Sequence, residues 1–393
     1  MPKTVLISGA GIAGPALAFW LSQSRYDVTI VESAPALRTG GHAVDFRGAA
    51  HFTVLKAMGL LETLQTHRVQ MAPITFVDRG GRTIVRLSEE FASGELEILR
   101  SDVSRILFDA TQNHVRYIFD DSIQSLAQDR EAVSVTFKSS PPAHFDLVVG
   151  ADGMHSNVRR QVMGDEDRLL RHMGYYLALA PVDAHWNTYV GQRFNTPGKS
   201  AGIHGTVGDR RPVASFFFAS QDSDLGRSDQ ATQRQALQQK FSNMDWIVPD
   251  LLGEVVQSPD FYMDSITVAK MQTIHSGRVV LIGDAAYGGT LGGMGTGLAV
   301  VAAYVLAGEL TRANADHQSA FNRYEKIMAS YARGCQKTAE NVGTFLAPKS
   351  AAGLWFRNTL LKLNYALPGR GLMERLAQSR AADVSLPTYA QKI

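Results

Sequence analysis

The sequence predicts an α/β protein: a parallel sheet, interrupted by an inserted mixed or antiparallel β-sheet and followed by a C-terminal helical region. Three observations carry this. Residues 3–32 read as strand, glycine-rich turn, helix and second strand. Two further apolar strands, at 145–150 and 278–282, each run into a turn holding an acid, Ala151-Asp152-Gly153 and Gly283-Asp284-Ala285. From about 174 to 268, strand-like runs surround two helical segments, as an antiparallel sheet with one helical excursion would.

The opening segment, KTVLISGAGIAGPALAFWLSQSRYDVTIVE, holds the most specific pattern. Gly9 permits a tight turn, Gly11 lets backbone approach a pyrophosphate, and Gly14 lets helix and strand pack closely. The helix that follows, with Ile12 and Ala13 at its start, presents free N–H groups and a positive dipole end to phosphates. Glu32, next to Ser33, ends the second strand, where it can accept hydrogen bonds from both ribose hydroxyls of an adenosine. An acid there disfavours a 2′-phosphate, so the turn suits FAD or NAD better than NADP.

Composition narrows the class. The chain has 393 residues, 45% hydrophobic and 19% charged, enough for two or three domains and a sizeable core. A net charge of +2, with the basic residues dispersed, gives no reason to expect nucleic acid as a partner. One cysteine, Cys335, excludes an internal disulfide and a cysteine-based metal site, and no metal is expected. It lies in a helical stretch and reads as an inert buried thiol. The N-terminus runs directly into a strand without a signal-peptide pattern, and no apolar run reaches ~18 residues. A cytoplasmic protein without a membrane span is the expectation, as a monomer or weak homo-oligomer.

In chain order, 47–58 and 60–67 read as helices, and 74–78 with 82–87 as a hairpin turned at Gly80-Gly81. Residues 101–111 read as a helix with Ser101 as N-cap and an acid in the first turn. Strands are expected at 116–119, 122–127, 132–138 and 145–150, the last apolar throughout, as suits burial on both faces. In the inserted region strands are expected at 175–182, 188–194, 213–219 and 266–269, with helices near 229–241 and 244–255. After the strand at 278–282, helices are expected at 297–311, 317–342, 353–363 and 371–379. The resulting boundaries are 1–73, 100–173 and 270–345 for the nucleotide-binding domain. Residues 74–99 and 174–269 form the inserted domain, and 346–393 a helical tail whose apolar face packs back on the domains.

Two further segments carry chemistry. In DLVVGADGMHSNVRR (146–160), Asp152 can cap backbone amides where strand turns into helix, Gly153 allows close approach by a cofactor, and Arg159 can reach a phosphate. In GRVVLIGDAAYGGTLGGMGTGLAVVAAYVLAGEL (277–310), Asp284 can accept a ribityl hydroxyl. The helix opening at Gly295, Thr296 and Gly297 aims its N-terminus at whatever fills the crevice.

GAGIAG with Glu32, GADGMHSNVR and LIGDAA, in that order, resemble the three motifs of the FAD-dependent aromatic hydroxylases of the p-hydroxybenzoate hydroxylase type, the group A flavoprotein monooxygenases. The resemblance covers most of 1–345. HAVDFRGAAHFTVLKAMGLL looks closest to the branch with tetracycline-inactivating and rifampicin monooxygenases. It implies a Rossmann-type, GR2-like FAD-binding domain, an inserted substrate-binding β domain, and a helical tail. It further implies that NAD(P)H reduces FAD and that O2 is delivered, through a flavin hydroperoxide, to an aromatic or polycyclic small molecule. By the same matching, Arg47 and Arg100 serve the ribose, ribityl and pyrophosphate parts of FAD, Gly283 and Asp284 the riboflavin part, and His155 with Arg159 the nicotinamide nucleotide. Tyr189, His204, Phe216 and Phe218 are candidates for the substrate pocket. No catalytic base is assigned. The third motif departs from the family: Tyr287 replaces a histidine, 288–293 contains no proline, and GMGTG replaces GxGxN. That leaves open how this loop manages oxygen. A flavin-dependent reductase or dehydrogenase of a hydrophobic substrate, and a catalytically weak FAD-binding protein, are the competing readings.

Overall fold

The computed structural model describes residues 2–24, 26–38, 43–70, 73–87, 94–164, 166–186, 191–204, 211–289, 295–314, 316–366 and 386–389. A six-stranded sheet runs His275–Ser276, Val279–Leu281, Leu147–Gly150, Lys3–Ser8, Tyr26–Val31, Arg116–Ile118. All its pairings are parallel except that of the two-residue edge strand. The central strands are apolar on both faces because helices cover both. The chain leaves Lys3–Ser8 toward Tyr26–Val31 on one side and pairs with Leu147–Gly150 on the other. A crevice therefore opens at the carboxyl end of this strand, where such sheets bind ligands. Helix Gly295–Arg312 packs against the first helix, Ala13–Ser22, and is buried nearly all round. Among the described residues no helix is long and apolar enough to cross a membrane.

The second sheet has seven strands, in the order Tyr262–Ala269, Leu170–Pro181, Val213–Ala219, Lys199–His204, Gly191–Thr196, Ile74–Val77, Thr83–Arg86. Helices Gln230–Phe241 and Val248–Gln257 cover its back face, forming a core with Tyr176, Ala178, Phe216 and Phe218. The front face packs against the end of the long helix His317–Leu346 and helix Ala351–Ala366.

Several local expectations are corrected. Ser101 is not an N-cap: Arg100 is already helical and Leu99 holds the cap position, so the helix spans Arg100–Asp109. The expected strand at 145–150 is two, because Ala143–Phe145 pairs in a separate three-stranded sheet while Leu147–Gly150 enters the large one. The four-residue strands Ala43–Phe46 and Leu96–Leu99, which pair with each other, and strand Lys199–His204 carry too little periodicity to be seen in sequence. The expected helix at 371–379 lies outside the described residues.

Candidate active site

Three glycines bring the motifs together. Gly9 has φ +109°, and a Cβ there would lie 2.5 Å from the Ala151 carbonyl oxygen, so the first and second motifs touch through bare backbone. A Cβ on Gly14 would lie 2.0 Å from the Gly9 carbonyl oxygen, which only a glycine tolerates as the helix seats on the turn. Gly283, at φ +61°, would place a Cβ 2.8 Å from the Ala13 methyl, joining the third motif to the first helix. Glu32 closes the group: its carboxylate accepts the Ala10 N–H at 2.8 Å and the Ala34 N–H at 2.9 Å, with Ser33 Oγ 3.2 Å away. The carboxylate is thereby held in place against the glycine turn.

The crevice has the donors an FAD needs. A Cβ on Gly11 would meet only Arg100 Nη2, at 3.9 Å, so this stretch of backbone stands open beside a guanidinium. The first helix begins after Ile12 with no side-chain cap, leaving its leading amides to a ligand. Asp284 sits on the crevice floor, open to solvent on one side and enclosed by protein elsewhere. Burial pushes its carboxyl up, and Arg100 opposes that rise. A Cβ on Gly295 would come 3.4 Å from Asp284 Oδ1, which places the long helix's start beside the carboxylate; Thr296 follows, half-buried. An open glycine backbone and helix N-terminus beside the Arg100 guanidinium would suit a diphosphate, and the single acid Asp284 would suit a polyol. The residues fit the cofactor.

Arg47 heads the helix Gly48–Ala57, and its guanidinium is clamped by Asp45 through Nε, at 2.7 Å, and Nη2. Beneath it lies a residue the sequence reading missed. His51 is 0% exposed; its Nδ1 accepts the Arg47 N–H at 2.9 Å, and its Nε2 meets the Tyr331 hydroxyl. Burial, then the Arg47 charge, lowers its pKa to about 4, so it stays neutral. A Cβ on Gly297 would lie 1.9 Å from His51 Cε1. The imidazole therefore pins the Arg47 turn to the start of the long helix. A histidine one turn into an apolar helix gave no periodic signal to mark it.

The second motif is structural more than expected. Asp152 spends its carboxylate on Ser156 Oγ and the Val158 N–H, capping the bend; burial raises its pKa. Gly153, at φ +81°, has open space where a Cβ would stand. Arg159 does not reach outward to a nicotinamide nucleotide. It is fully buried and donates to the Ala285 and Met154 carbonyl oxygens, tying the second motif to the third. Arg159→Met should destabilise the protein by about 2–3 kcal/mol by stranding those carbonyls, read as a shift in the denaturant midpoint. His155 is half-exposed and lies 3.2 Å from Asp264 Oδ2, which also accepts the Tyr262 hydroxyl at 3.1 Å.

Comparison with known proteins agrees with this geometry. The family model described as FAD binding domain matches residues 3–344. A flavin-dependent monooxygenase from an unknown prokaryotic organism is 35% identical over 98% of this chain and 99% of its own. The chain belongs to the FAD-binding monooxygenases. An FAD-dependent monooxygenase of Sarocladium schorii is 31% identical over 79% of this chain and 76% of its own. The crystal structure of tetracycline destructase Tet(51) matches with TM-score 0.84 at 31% identity, covering 99% of this chain and 100% of that one. This protein is thus a flavoenzyme that uses FAD, with NAD(P)H as the family's reductant.

In this monooxygenase the Tyr262 edge of the second sheet's front face lies within the fields of Arg100 and Asp284. Phe216 and Phe218 are not part of it: both are buried on the back face against Phe241, because alternate residues of Val213–Ala219 divide between faces. Ser215 and Phe217, which alternate with them, take the front. His204 is on the front, its Nε2 2.7 Å from Ser215 Oγ and 3.2 Å from Arg193 Nη1. Tyr189 lies outside the described residues. Arg193 was not anticipated. It is 1% exposed, has no carboxylate partner among the described residues, and bonds Ser200 Oγ at 3.0 Å and Ser215 Oγ at 2.8 Å. Burial, then nearby Arg357, lowers its pKa to about 9.

Of the proline-free segment after Asp284, Gly288 and Gly289 lie among the described residues. Val268 bridges Gly289, the Ala269 N–H donates to the Gly288 carbonyl at 2.8 Å, and buried Gln336 donates to the Ala269 and Tyr287 carbonyls. Tyr287 is buried. Gly288 and Gly289 are thus held against the edge strand Tyr262–Ala269.

Proposed function

We propose that this flavin-dependent monooxygenase hydroxylates an elongated polycyclic aromatic molecule, of antibiotic or polyketide-like chemistry, laid along the front face of the second sheet. The observation that carries the reading is a row in register across five strands. Tyr262 pairs with Leu179, Leu179 with Ser215, Ser215 with Gly202, and Gly202 with Arg193, all on one face. Four inter-strand spacings of about 4.8 Å make the row roughly 19 Å long. At its crevice end Tyr262 is 46% exposed and lies within the fields of Arg100 and Asp284; at its far end sits the buried Arg193, whose charge has no carboxylate partner among the described residues. An apolar ring system with an oxygen-rich, acidic end matches this polarity. The likeness to tetracycline destructases supports the same substrate class.

A bound FAD supplies hydride acceptance from NAD(P)H and activation of O2. The chain supplies the rest. Gly11, the first helix's leading amides and Arg100 hold the diphosphate, and Glu32 orients the adenosine ribose. Asp284 with Gly295–Gly297 positions the ring end. Burial of Tyr287 and Leu298 keeps bulk water from the floor. Partial enclosure and then the Asp264 charge keep the Tyr262 phenol protonated, and its hydroxyl donates to Asp264 Oδ2 at 3.1 Å rather than acting as a base. A cytoplasmic setting, where NAD(P)H is at hand, and a monomer or weak homo-oligomer go with this reading.

The test is NAD(P)H oxidation with and without polycyclic phenols, with products followed by mass. Substrate-stimulated turnover and a gain of one oxygen atom are expected. Turnover that yields only peroxide with every ring system tried would refute the hydroxylase reading. Arg100→Met, a substitution at an exposed side chain, should leave thermal stability nearly unchanged and weaken FAD binding at least tenfold.

A further inference from the structure

Next to Arg47 lies a carboxylate pair that the reading above leaves unused. Asp45 and Glu97 are direct cross-strand partners in the two-stranded sheet formed by Ala43–Phe46 and Leu96–Leu99. They are 7% and 8% exposed. Asp45 gives its Oδ2 to both Arg47 contacts, while Asp45 Oδ1 and Glu97 Oε2 are buried with no hydrogen-bond partner among the described residues. Two buried acids facing one another across a ladder, each with an orphaned oxygen, cannot both remain ionised beside a single bound guanidinium.

We infer that Asp45 and Glu97 share a proton, with Glu97 the neutral member, and that this proton sets the charge Arg47 presents to the cofactor. The inference rests on the reading that Arg47 serves FAD. Burial, then the Asp45 charge, raises Glu97 to about 8, against opposing pulls from Arg47 and Arg68. Burial also raises Asp45, but its direct contacts with Arg47 pull it back, which makes it the ionised partner. Among the described residues, the other charged or titratable neighbours are few. Arg68 flanks the Leu96–Leu99 strand through its bridge to Ile98; Glu95 is turned away to cap the Gly48 N–H; His51 stays neutral beneath the turn.

The charge balance follows. Below about pH 8 the trio is Asp45 carboxylate, Glu97 carboxylic acid and Arg47 guanidinium, net zero. Above it Glu97 loses its proton to solvent, the trio becomes net negative, and the attraction for an anionic diphosphate falls. One unit of charge at a partly buried separation changes affinity on the order of tenfold. The fold responds with the same sign. Glu97 binds its proton more tightly folded than unfolded, so its contribution is fully present below about 4.5 and is lost as pH rises through about 8.

Two measurements on the full chain test this. First, FAD affinity of the apoprotein is measured by flavin fluorescence from pH 6.5 to 9.0, for wild type, Glu97→Gln and Arg47→Ala. The wild-type dissociation constant should rise several-fold to tenfold across that range, and Glu97→Gln, which keeps the neutral form, should stay nearly level. Superimposable profiles for those two proteins overturn the inference. Second, the thermal midpoint of the apoprotein is followed from pH 5 to 9 without flavin. Wild type should lose stability relative to Glu97→Gln as pH rises; parallel curves overturn the shared proton. If Arg47→Ala binds FAD as wild type does, the assignment of Arg47 fails, while the flavin-free measurement still decides the pair.

Discussion

Gly14→Ala should give a protein that purifies without flavin and unfolds early. The added methyl would stand 2.0 Å from the Gly9 carbonyl oxygen and 3.3 Å from Ile7 Cγ2, and both neighbours belong to the strand and turn that define the site. Relief requires the first helix to lift off the sheet, which costs about 3 kcal/mol or more and moves the helix's leading amides out of line with the diphosphate. The matched control is Gly253→Ala in helix Val248–Gln257, where a Cβ meets nothing within 4 Å. That change should raise stability by about 0.5–1 kcal/mol through helix propensity. Denaturant melts and the ratio of bound flavin to protein read both. A Gly14→Ala protein with full flavin content and a wild-type midpoint would remove the case for glycine at this position.

The second large effect concerns Gly297 and His51. Gly297→Ala places a methyl 1.9 Å from the imidazole. The ring cannot turn aside, because Nδ1 is held by the Arg47 N–H and Nε2 by Tyr331, with Phe46 at its edge. The single substitution should destabilise the protein by about 2–3 kcal/mol and weaken FAD binding, since both the Arg47 turn and the start of the long helix shift. His51→Ser alone should also be harmful, through the cavity left and the loss of the Arg47 N–H acceptor. Combined, the two should be less harmful than their sum, because the space opened by one admits the methyl of the other. A coupling above about 1 kcal/mol is expected in a double-mutant cycle. Strict additivity would show that the two residues do not press on one another.

Both predictions turn on distances between segments far apart in the chain, and this marks what could be read from the residues alone. The nucleotide-binding unit was legible because its signals are local. Strand, turn glycines, helix and terminal acid lie within thirty residues, and backbone geometry alone dictates which residue types can stand there. The strand-end acids Asp152 and Asp284 were legible for the same reason. Arg159 was not: its six-residue spacing from Gly153 suits an outward reach as well as an inward one, and only the packed Ala285 carbonyl selects the second. The same holds for Phe216 and Phe218, where alternation shows that they share a face but not which face the helices cover.

What the sequence determined by itself is therefore the parallel nucleotide-binding sheet, its cofactor class, and the order of the motifs around it. Each is fixed by steric and hydrogen-bonding rules acting over a few turns or strand residues. Only the tertiary structure decided that His51 locks Arg47 to Gly297, that Asp45 and Glu97 meet across a ladder, and that Arg193 lies in register with Tyr262 on one face. Those relations arise from burial. Packing brings charges and rings together regardless of their separation in the chain, and it raises the energetic consequence of each contact by removing water from around it.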